Sequence, residues 1–391
     1  MECPQTMLKG VLPHSLMLAA EDWMVKKAIM RVLGGRTHSP YAEHPNVRKF
    51  EAVVSQRAKG MRVLGTNGGT DALILALKLS GIGPGDEVIV PAFCFIPRIS
   101  CVSWIGATPV FVDVRSDDYA TDPAKIEEKV TERTKAIIVS HLFGQPAAGI
   151  TDVLFLAKRK GLIVIEDATQ SFGAKAKIGE EWKMVGTVGD FGALSFTTQK
   201  WFAGPGNSGA LILKDPALWE EGDRMRFYGA RVHHFDYPTV GVNCKMHDIQ
   251  AAALLAKLPF FDYWLEHRRR IAALYTKELA GIGDLVLPAD IPGTERTWYR
   301  YVVRTKQRDA LLNYLLGVTE NNYFLQPSPE YPVPVPYFEV FRGLGYNVGD
   351  FPCAERLSHE VISLPLSQYV SIGYARKIAE AVRTFYALEQ R

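Results

Sequence analysis

Several protein classes are excluded by what this sequence lacks. It has no run of five or more like charges in 391 residues, and its net charge is only +3. That argues against a nucleic-acid or membrane-surface partner. The nearest cluster, Arg268-Arg269-Arg270, reads as a solvated helix face. No apolar stretch approaches the ~20 residues of a membrane helix. The apolar run Leu16–Ala20 is too short for a secretory leader and meets Glu21-Asp22 at once. Cysteine is scarce: five, an odd and scattered set with no CxxC. A reducing, cytoplasmic setting with unpaired thiols is therefore expected. The nine histidines contain no HExxH, and no metal site is expected. His233-His234 are adjacent rather than helically spaced and read as a mobile loop; His141, at a strand end, is either structural or site-lining.

What is present is ordinary globular composition, 47% hydrophobic and 22% charged, in a chain long enough for two domains. Short apolar runs rich in Val and Ile fall at Arg62–Leu64, Glu87–Val90, Pro109–Val114, Ala136–Ser140, Leu162–Glu166, Ala193–Phe196 and Ala210–Leu213. Helical stretches such as Asp71–Leu79 and Asp152–Lys160 lie between several of them. This alternation predicts an α/β domain with a mostly parallel sheet covered on both faces. Helical periodicity follows over Met246–Leu279, strand-like alternation over Trp298–Arg304, and an amphipathic helix over Gly373–Leu388. The five prolines of Pro327–Pro336 require a largely extended loop. The expected organisation is a segment 1–55 packing on both domains, a large domain 56–255 and a small α+β domain 256–391.

Five stretches carry candidate chemistry. Gly65-Thr66-Asn67-Gly68-Gly69-Thr70-Asp71 follows a strand and opens a helix. It reads as a phosphate cradle of free N–H groups aided by the Thr70 hydroxyl, or as a glycine-rich turn with Thr70 as N-cap. The strand Leu162–Asp167 ends in two acids, where open α/β sheets bind ligands. Asp167 there suits a protonated ring nitrogen, with Gln170 nearby for a ring substituent; the alternative is a helix-capping aspartate. Lys200 follows one strand–turn–strand unit later, beside apolar Trp201, Phe202 and Ala203, with Ser195 offering a further phosphate hydroxyl. A lysine that can form a Schiff base and an acid that can hold a pyridinium are the two fixed points of a pyridoxal phosphate site. Phe95, after another strand, suits stacking on a flat ring or plain core packing. Gly204-Pro205-Gly206-Asn207-Ser208-Gly209 has GxGxxG spacing but leads into a strand, so it reads as a tight turn and not a dinucleotide site.

Taken in order, these stretches resemble the DegT/DnrJ/StrS family of sugar aminotransferases, which are fold-type I pyridoxal phosphate enzymes. The resemblance rests on 68–73 (GGTDAL), 83–93 (GPGDEVIVPAF), 106–114 (GATPVFVDV) and 134–139 (TKAIIV). It continues through 165–170 (IEDATQ), Ser195-Phe196 with Lys200, and Asn243, Lys245 and Met246 with Ile249–Ala252. It extends more weakly to 349–352 and 363–365.

The resemblance implies that Lys200 bonds the cofactor and then moves the proton, that Asp167 pairs with the ring nitrogen and that Phe95 stacks on the ring. Gln170 would contact the ring hydroxyl region; Thr70, the Asp71 N–H and Ser195 would hold the phosphate. Asn243 would reach a neighbouring subunit's site beside Lys245, making the active site a property of a homodimer. The implied reaction moves an amino group from an amino acid such as glutamate, through pyridoxamine phosphate, to a keto sugar, nucleotide-linked in particular, or to a keto-cyclitol. Two other readings are a deoxysugar dehydratase, against which Lys200 argues because such relatives carry histidine there, and a non-catalytic sensor or scaffold. The chain departs from many relatives at Lys245, Asn207, Glu330, Pro336 and across Arg31–Tyr41. Those positions bear on the substrate side.

Overall fold

The computed structural model describes residues 13–35, 44–230, 236–319, 322 and 324–389. Cys3, His233-His234 and the 36–41 part of the atypical N-terminal stretch lie outside the described residues.

All seven apolar runs become strands of one sheet. They are β1 (Arg62–Thr66), β2 (Glu87–Pro91), β3 (Thr108–Val112), β4 (Thr134–Ser140), β5 (Ile163–Asp167), β6 (Phe191–Ser195) and β7 (Gly209–Leu213). Their order is β1-β7-β6-β5-β4-β2-β3, with β7 antiparallel to both neighbours and the other pairings parallel. The expected mostly parallel α/β sheet is thus present.

Strand side chains alternate between faces, and the two faces bury separate cores. Val63, Ile137, Val139, Val164, Leu194 and Ile212 enter one core; Leu64, Ala136, Ile138, Ile165, Ala193 and Leu211 enter the other. Both faces being buried explains why these strands read as continuous apolar runs.

Helix α1 is His14–Leu33, α2 is Pro45–Arg57, α3 is Gly69–Leu79 and α4 is Pro97–Trp104. Pro45 sits in the first turn of α2, where its missing N–H costs nothing. Val47, Phe50, Glu51 and Val54, one helical face, are its buried residues. Each buried apolar side chain stabilises by about 1.5–3 kcal/mol. The buried Glu51 carboxylate takes hydrogen bonds from the Gly65 N–H (2.7 Å) and Arg226 (2.6 Å), tying α2 to the end of β1.

A third core gathers Ile271, Tyr275, Tyr301, Leu311, Ile362 and Val382 around a small antiparallel sheet of Tyr301–Arg304, Val361–Leu364 and Ser328–Pro329. Helix α1 packs on this C-terminal part, with Met17 buried against Phe260 and Trp264.

The arginine triplet is divided by helical geometry. Arg269 and Arg270 stay on the exposed side near Glu266. Arg268 is only 3% exposed and donates to the carbonyls of Trp298 (2.9 Å) and Leu366 (3.2 Å). The expected solvated face therefore fails at Arg268, because successive helix residues point about 100° apart. Among the described residues no helix is long and apolar enough to cross a membrane.

Candidate active site

The carboxyl ends of β1, β2, β5 and β6 converge on one crevice, as open α/β sheets require. After β1 the chain turns through Gly68 into α3. The first intrahelical bond runs from the Ala72 N–H to the Gly68 carbonyl (3.1 Å), which leaves the N–H groups of Gly69, Thr70 and Asp71 free as first-turn donors. Glycine is required here. A Cβ on Gly69 would lie 2.7 Å from Thr169 Cγ2 and 3.0 Å from Ser195 Cβ, and one on Gly209 would meet the Gly68 carbonyl carbon at 2.5 Å. The N-cap is Gly68, so Thr70 is not the cap; it is exposed on the first turn.

A cavity of about 300 Å³ opens over this turn, lined among others by Thr70, Asp71, Phe95, Arg98, Ser195 and Lys200. Phe95 is half-exposed at its rim and Ser195 Oγ lies 3.4 Å from Thr197 Oγ1. The Asp71 side chain turns toward Asn67 (3.4 Å), and burial raises its carboxyl pKa. Asn207, from the glycine-rich turn before β7, also lines the cavity.

The two acids at the end of β5 point to opposite faces. Glu166 is fully buried and accepts from the N–H groups of Gly186 (2.9 Å), Val188 (2.6 Å) and Gly189 (2.7 Å), with His141 Nε2 at 2.9 Å. Burial alone would raise its pKa; the His141 contact and the backbone donors hold it below the usual range. His141 Nδ1 in turn accepts from the Ala147 N–H (3.0 Å), so this histidine is structural.

Asp167 is equally buried but faces the cavity side. One oxygen accepts from the Thr169 N–H (3.0 Å), which makes a turn, not a helix cap. The other pairs with Arg98 Nε and has no hydrogen-bond partner. Gln170 is buried, accepting from the Phe143 N–H (2.8 Å) and donating to Tyr331 Oη (2.9 Å).

Lys200 is half-buried, with Nζ 5.3 Å from the Tyr299 ring centroid. Its pKa is lowered to about 7 by burial and then by the charges of Arg98 and Arg300, against an opposing pull from Glu330. Lys200 also borders a second, larger cavity of about 650 Å³. That cavity is walled by Glu21 and Asp22 of α1, by Arg268 and Arg300, and by Gln368 and Tyr369. Glu21 fixes α1 there through Lys257 (3.2 Å) and a hydrogen bond from Trp264 Nε1. Glu330 accepts from Ser363 Oγ (2.8 Å) and lies 3.4 Å from Arg300 Nε, so this departure from the common histidine reaches the larger cavity through Arg300. Pro336 is buried in a short 3-10 turn, Val335–Tyr337.

Asn243 and Lys245 do not line either cavity of their own chain. Asn243 is exposed in a bridge to Phe227, and Lys245 Nζ stands 3.8 Å over the Phe227 ring. Sequence reading missed Arg98, Arg268, Arg300 and Tyr331. Arg98 alone had a usable signal, a cation in the first turn after a strand's carboxyl end. The others come from the distant C-terminal part.

A glycine-walled anion cradle, a buried carboxylate with an unsatisfied oxygen and a lysine whose pKa is brought down to about 7 fit pyridoxal phosphate. They define the class of enzymes that bind that cofactor through lysine. Residues 25–383 match the DegT/DnrJ/EryC1/StrS aminotransferase family, and the chain belongs to it. It is 36% identical to the pleiotropic regulatory protein of Geobacillus stearothermophilus, across 94% of this chain and 97% of that one. It is also 36% identical to the dTDP-3-amino-3,4,6-trideoxy-alpha-D-glucose transaminase of Streptomyces venezuelae, across 91% of this chain and 90% of that one. The structure of S. venezuelae DesV in complex with a ketimine intermediate superposes with a TM-score of 0.87 at 33% identity, covering 96% of this chain and 98% of that one. The expected family, fold and enzyme class stand.

Proposed function

We propose that the protein is a pyridoxal phosphate-dependent aminotransferase that moves an amino group from an amino acid such as glutamate to a keto sugar, nucleotide-linked in the first instance. The single observation that carries this reading is the position of Lys200, an amine with its pKa lowered to about 7, between an anion cradle and a larger cavity with a cationic wall. When bound, the cofactor supplies an aldehyde that takes up the amino group and a ring that stabilises negative charge at the substrate carbon.

In this reading the first-turn N–H groups of α3, Thr70 Oγ1 and Ser195 Oγ hold the phosphate, and Phe95 covers the ring. Asp167 faces the ring nitrogen, and Gln170 fixes Tyr331 beside the ring. Lys200 carries the proton between donor or acceptor carbon and cofactor, a role worth about 10²–10⁴-fold. Arg268 and Arg300 suit the carboxylate of the donor or the phosphates of a nucleotide-linked acceptor. The unpaired cysteines Cys94, Cys101, Cys244 and Cys353 support a cytoplasmic setting.

Adding glutamate to the reconstituted protein should convert the bound aldehyde to pyridoxamine phosphate, read as loss of the visible band. A keto sugar should restore that band. The non-catalytic reading gains a specific support from the regulatory name of the Geobacillus relative. A bound cofactor inert to every amino donor would decide in its favour.

Asn243 completes the reading as a residue given to a neighbouring protomer in a homodimer. Mixing Asn243→Ala with Lys200→Ala should then regenerate one intact site per mixed dimer, about a quarter of wild-type sites at random assortment. No recovery on mixing would place Asn243 outside the site.

A further inference from the structure

The two guanidiniums on the cationic wall of the larger cavity are held differently. Arg268 is committed to backbone: its Nη1 reaches the carbonyls of Trp298 (2.9 Å), Leu366 (3.2 Å) and Tyr299 (3.5 Å). Arg300 instead meets a carboxylate, Glu330, at a nearest approach of 3.4 Å. That is wider than the roughly 2.7–2.9 Å of a close guanidinium–carboxylate pair. Glu330 is buried, accepts from Ser363 Oγ (2.8 Å) and lines neither cavity, so it acts on the larger one through Arg300. Both residues belong to the small antiparallel sheet. Arg300 precedes Tyr301–Arg304, Glu330 follows Ser328–Pro329, and both strands pair with Val361–Leu364. Their contact is set within that sheet and does not depend on what fills the cradle.

The acids on the facing α1 wall are compensated, Glu21 by Lys257 (3.2 Å) and Asp22 by Lys26 (2.6 Å). Among the described residues Arg268 pairs with no carboxylate, so the wall has an excess of positive charge that a bound anion would balance. Which anion follows from the distance to Lys200. Arg300 Cζ and Lys200 Nζ lie 5.0 Å and 5.3 Å from the centroid of the same Tyr299 ring. The proton that Lys200 moves sits on the donor carbon that also bears the α-carboxylate. The phosphates of a nucleotide-linked sugar are several bonds further from the reacting carbon. We propose that Arg300 selects the amino donor by binding its α-carboxylate, and that Glu330 competes for the same guanidinium, neutralising it when the occupant has no carboxylate there. This rests on the aminotransferase reading and deepens it: one cavity takes an anionic donor and then an acceptor uncharged at its reacting carbon.

The test uses two amines on the reconstituted protein. The first is 2-methylglutamate, which has no α-proton to lose and so reports binding alone, read as a change in the visible band. The second is 4-aminobutyrate, glutamate without its α-carboxylate, read as single-turnover loss of that band; it reports any effect that passes through Lys200. Arg300→Met should weaken 2-methylglutamate by roughly 10–100-fold, the loss of a hydrogen bond to a charged group, and spare 4-aminobutyrate. Arg300→Lys, which keeps the charge, should fall between. Glu330→Gln keeps an acceptor for Ser363 but removes the competitor, so it should tighten 2-methylglutamate and give 4-aminobutyrate no gain. Should Arg300→Met not fold with Glu330 left uncompensated, Arg300→Met/Glu330→Gln removes both charges and should show the same loss. Undiminished 2-methylglutamate binding without Arg300, equal losses with both amines, or weaker 2-methylglutamate binding in Glu330→Gln overturns the proposal. A wild-type visible band that no amine alters would instead remove the underlying reading.

Discussion

The two cavities that meet at Lys200 are built on different principles. The smaller one, over the α3 turn, has a floor of backbone, with free N–H groups, glycines that tolerate no Cβ and strand ends fixed by the sheet, and side chains such as Thr70, Phe95 and Ser195 around it. The larger one is made of long side chains drawn from α1, the Phe261–Leu279 helix and the Leu366–Tyr369 segment. Backbone cannot be retuned by point substitution without disturbing the fold, whereas side chains can. The cradle is thus suited to an invariant cofactor and the larger cavity to a substrate that differs between relatives. Of the departures, Glu330 acts on the larger cavity through Arg300, whereas Asn207 lines the smaller one.

That contrast can be broken at four places, in descending order of effect. Lys200→Ala lies on both sides, so the visible band should vanish and transamination should fall by at least about 10²–10⁴-fold; full turnover would end the comparison. Ser195→Ala belongs to the cradle. Losing one hydrogen bond to a charged group, about 1.5–3 kcal/mol, should weaken pyridoxal phosphate binding by roughly 10–100-fold in a fluorescence titration. The acceptor KM at saturating cofactor should not move. Tyr369→Ala belongs to the larger cavity and is partly exposed, so folding should survive. Its acceptor KM should rise by about tenfold, equivalent to about 1.4 kcal/mol, with cofactor affinity unchanged; equal loss of both would mean that the cavities are not separable.

The smallest effect is on pH. With the Lys200 amine near 7, the neutral form gains as pH rises through that value. The rate of cofactor capture by the apo-protein should therefore climb and level off just above 7. An ordinary lysine would keep the rate climbing toward about pH 10.

Much of the cradle was legible because its signals are local. Seven buried strands announce themselves as apolar runs, and Thr70, Asp71, Asp167, Ser195 and Lys200 each sit at or just beyond a strand's carboxyl end. The edge hairpin Lys175–Ile178 with Glu181–Met184 escaped because its residues are largely charged and exposed. Helix α1 escaped because its apolar residues run round the helix, Met17 buried but Trp23 and Met30 open to solvent. Arg98 was passed over because its one local signal, a cation in the first turn beyond a strand's carboxyl end, does not say whether the side chain turns to a buried aspartate or to water. Its partner lies 69 residues away (167 − 98). Tyr331 and Arg300 reach the site only through tertiary packing of the C-terminal part. The triplet at Arg268 misled because a run of one charge hides the angular step between neighbours on a helix.

Helix α1 has a practical bearing on how such proteins are handled. It roofs the larger cavity and lines none of the smaller one, though Glu21 ties it through Lys257 to the Ala203 carbonyl near Lys200. A chain shortened past Leu33 would keep every group assigned to cofactor capture and turn yellow with pyridoxal phosphate. It would nonetheless lack the ceiling under which an acceptor is enclosed. Such a truncated protein would pass a cofactor assay, fail a turnover assay and be mistaken for a catalytically dead scaffold.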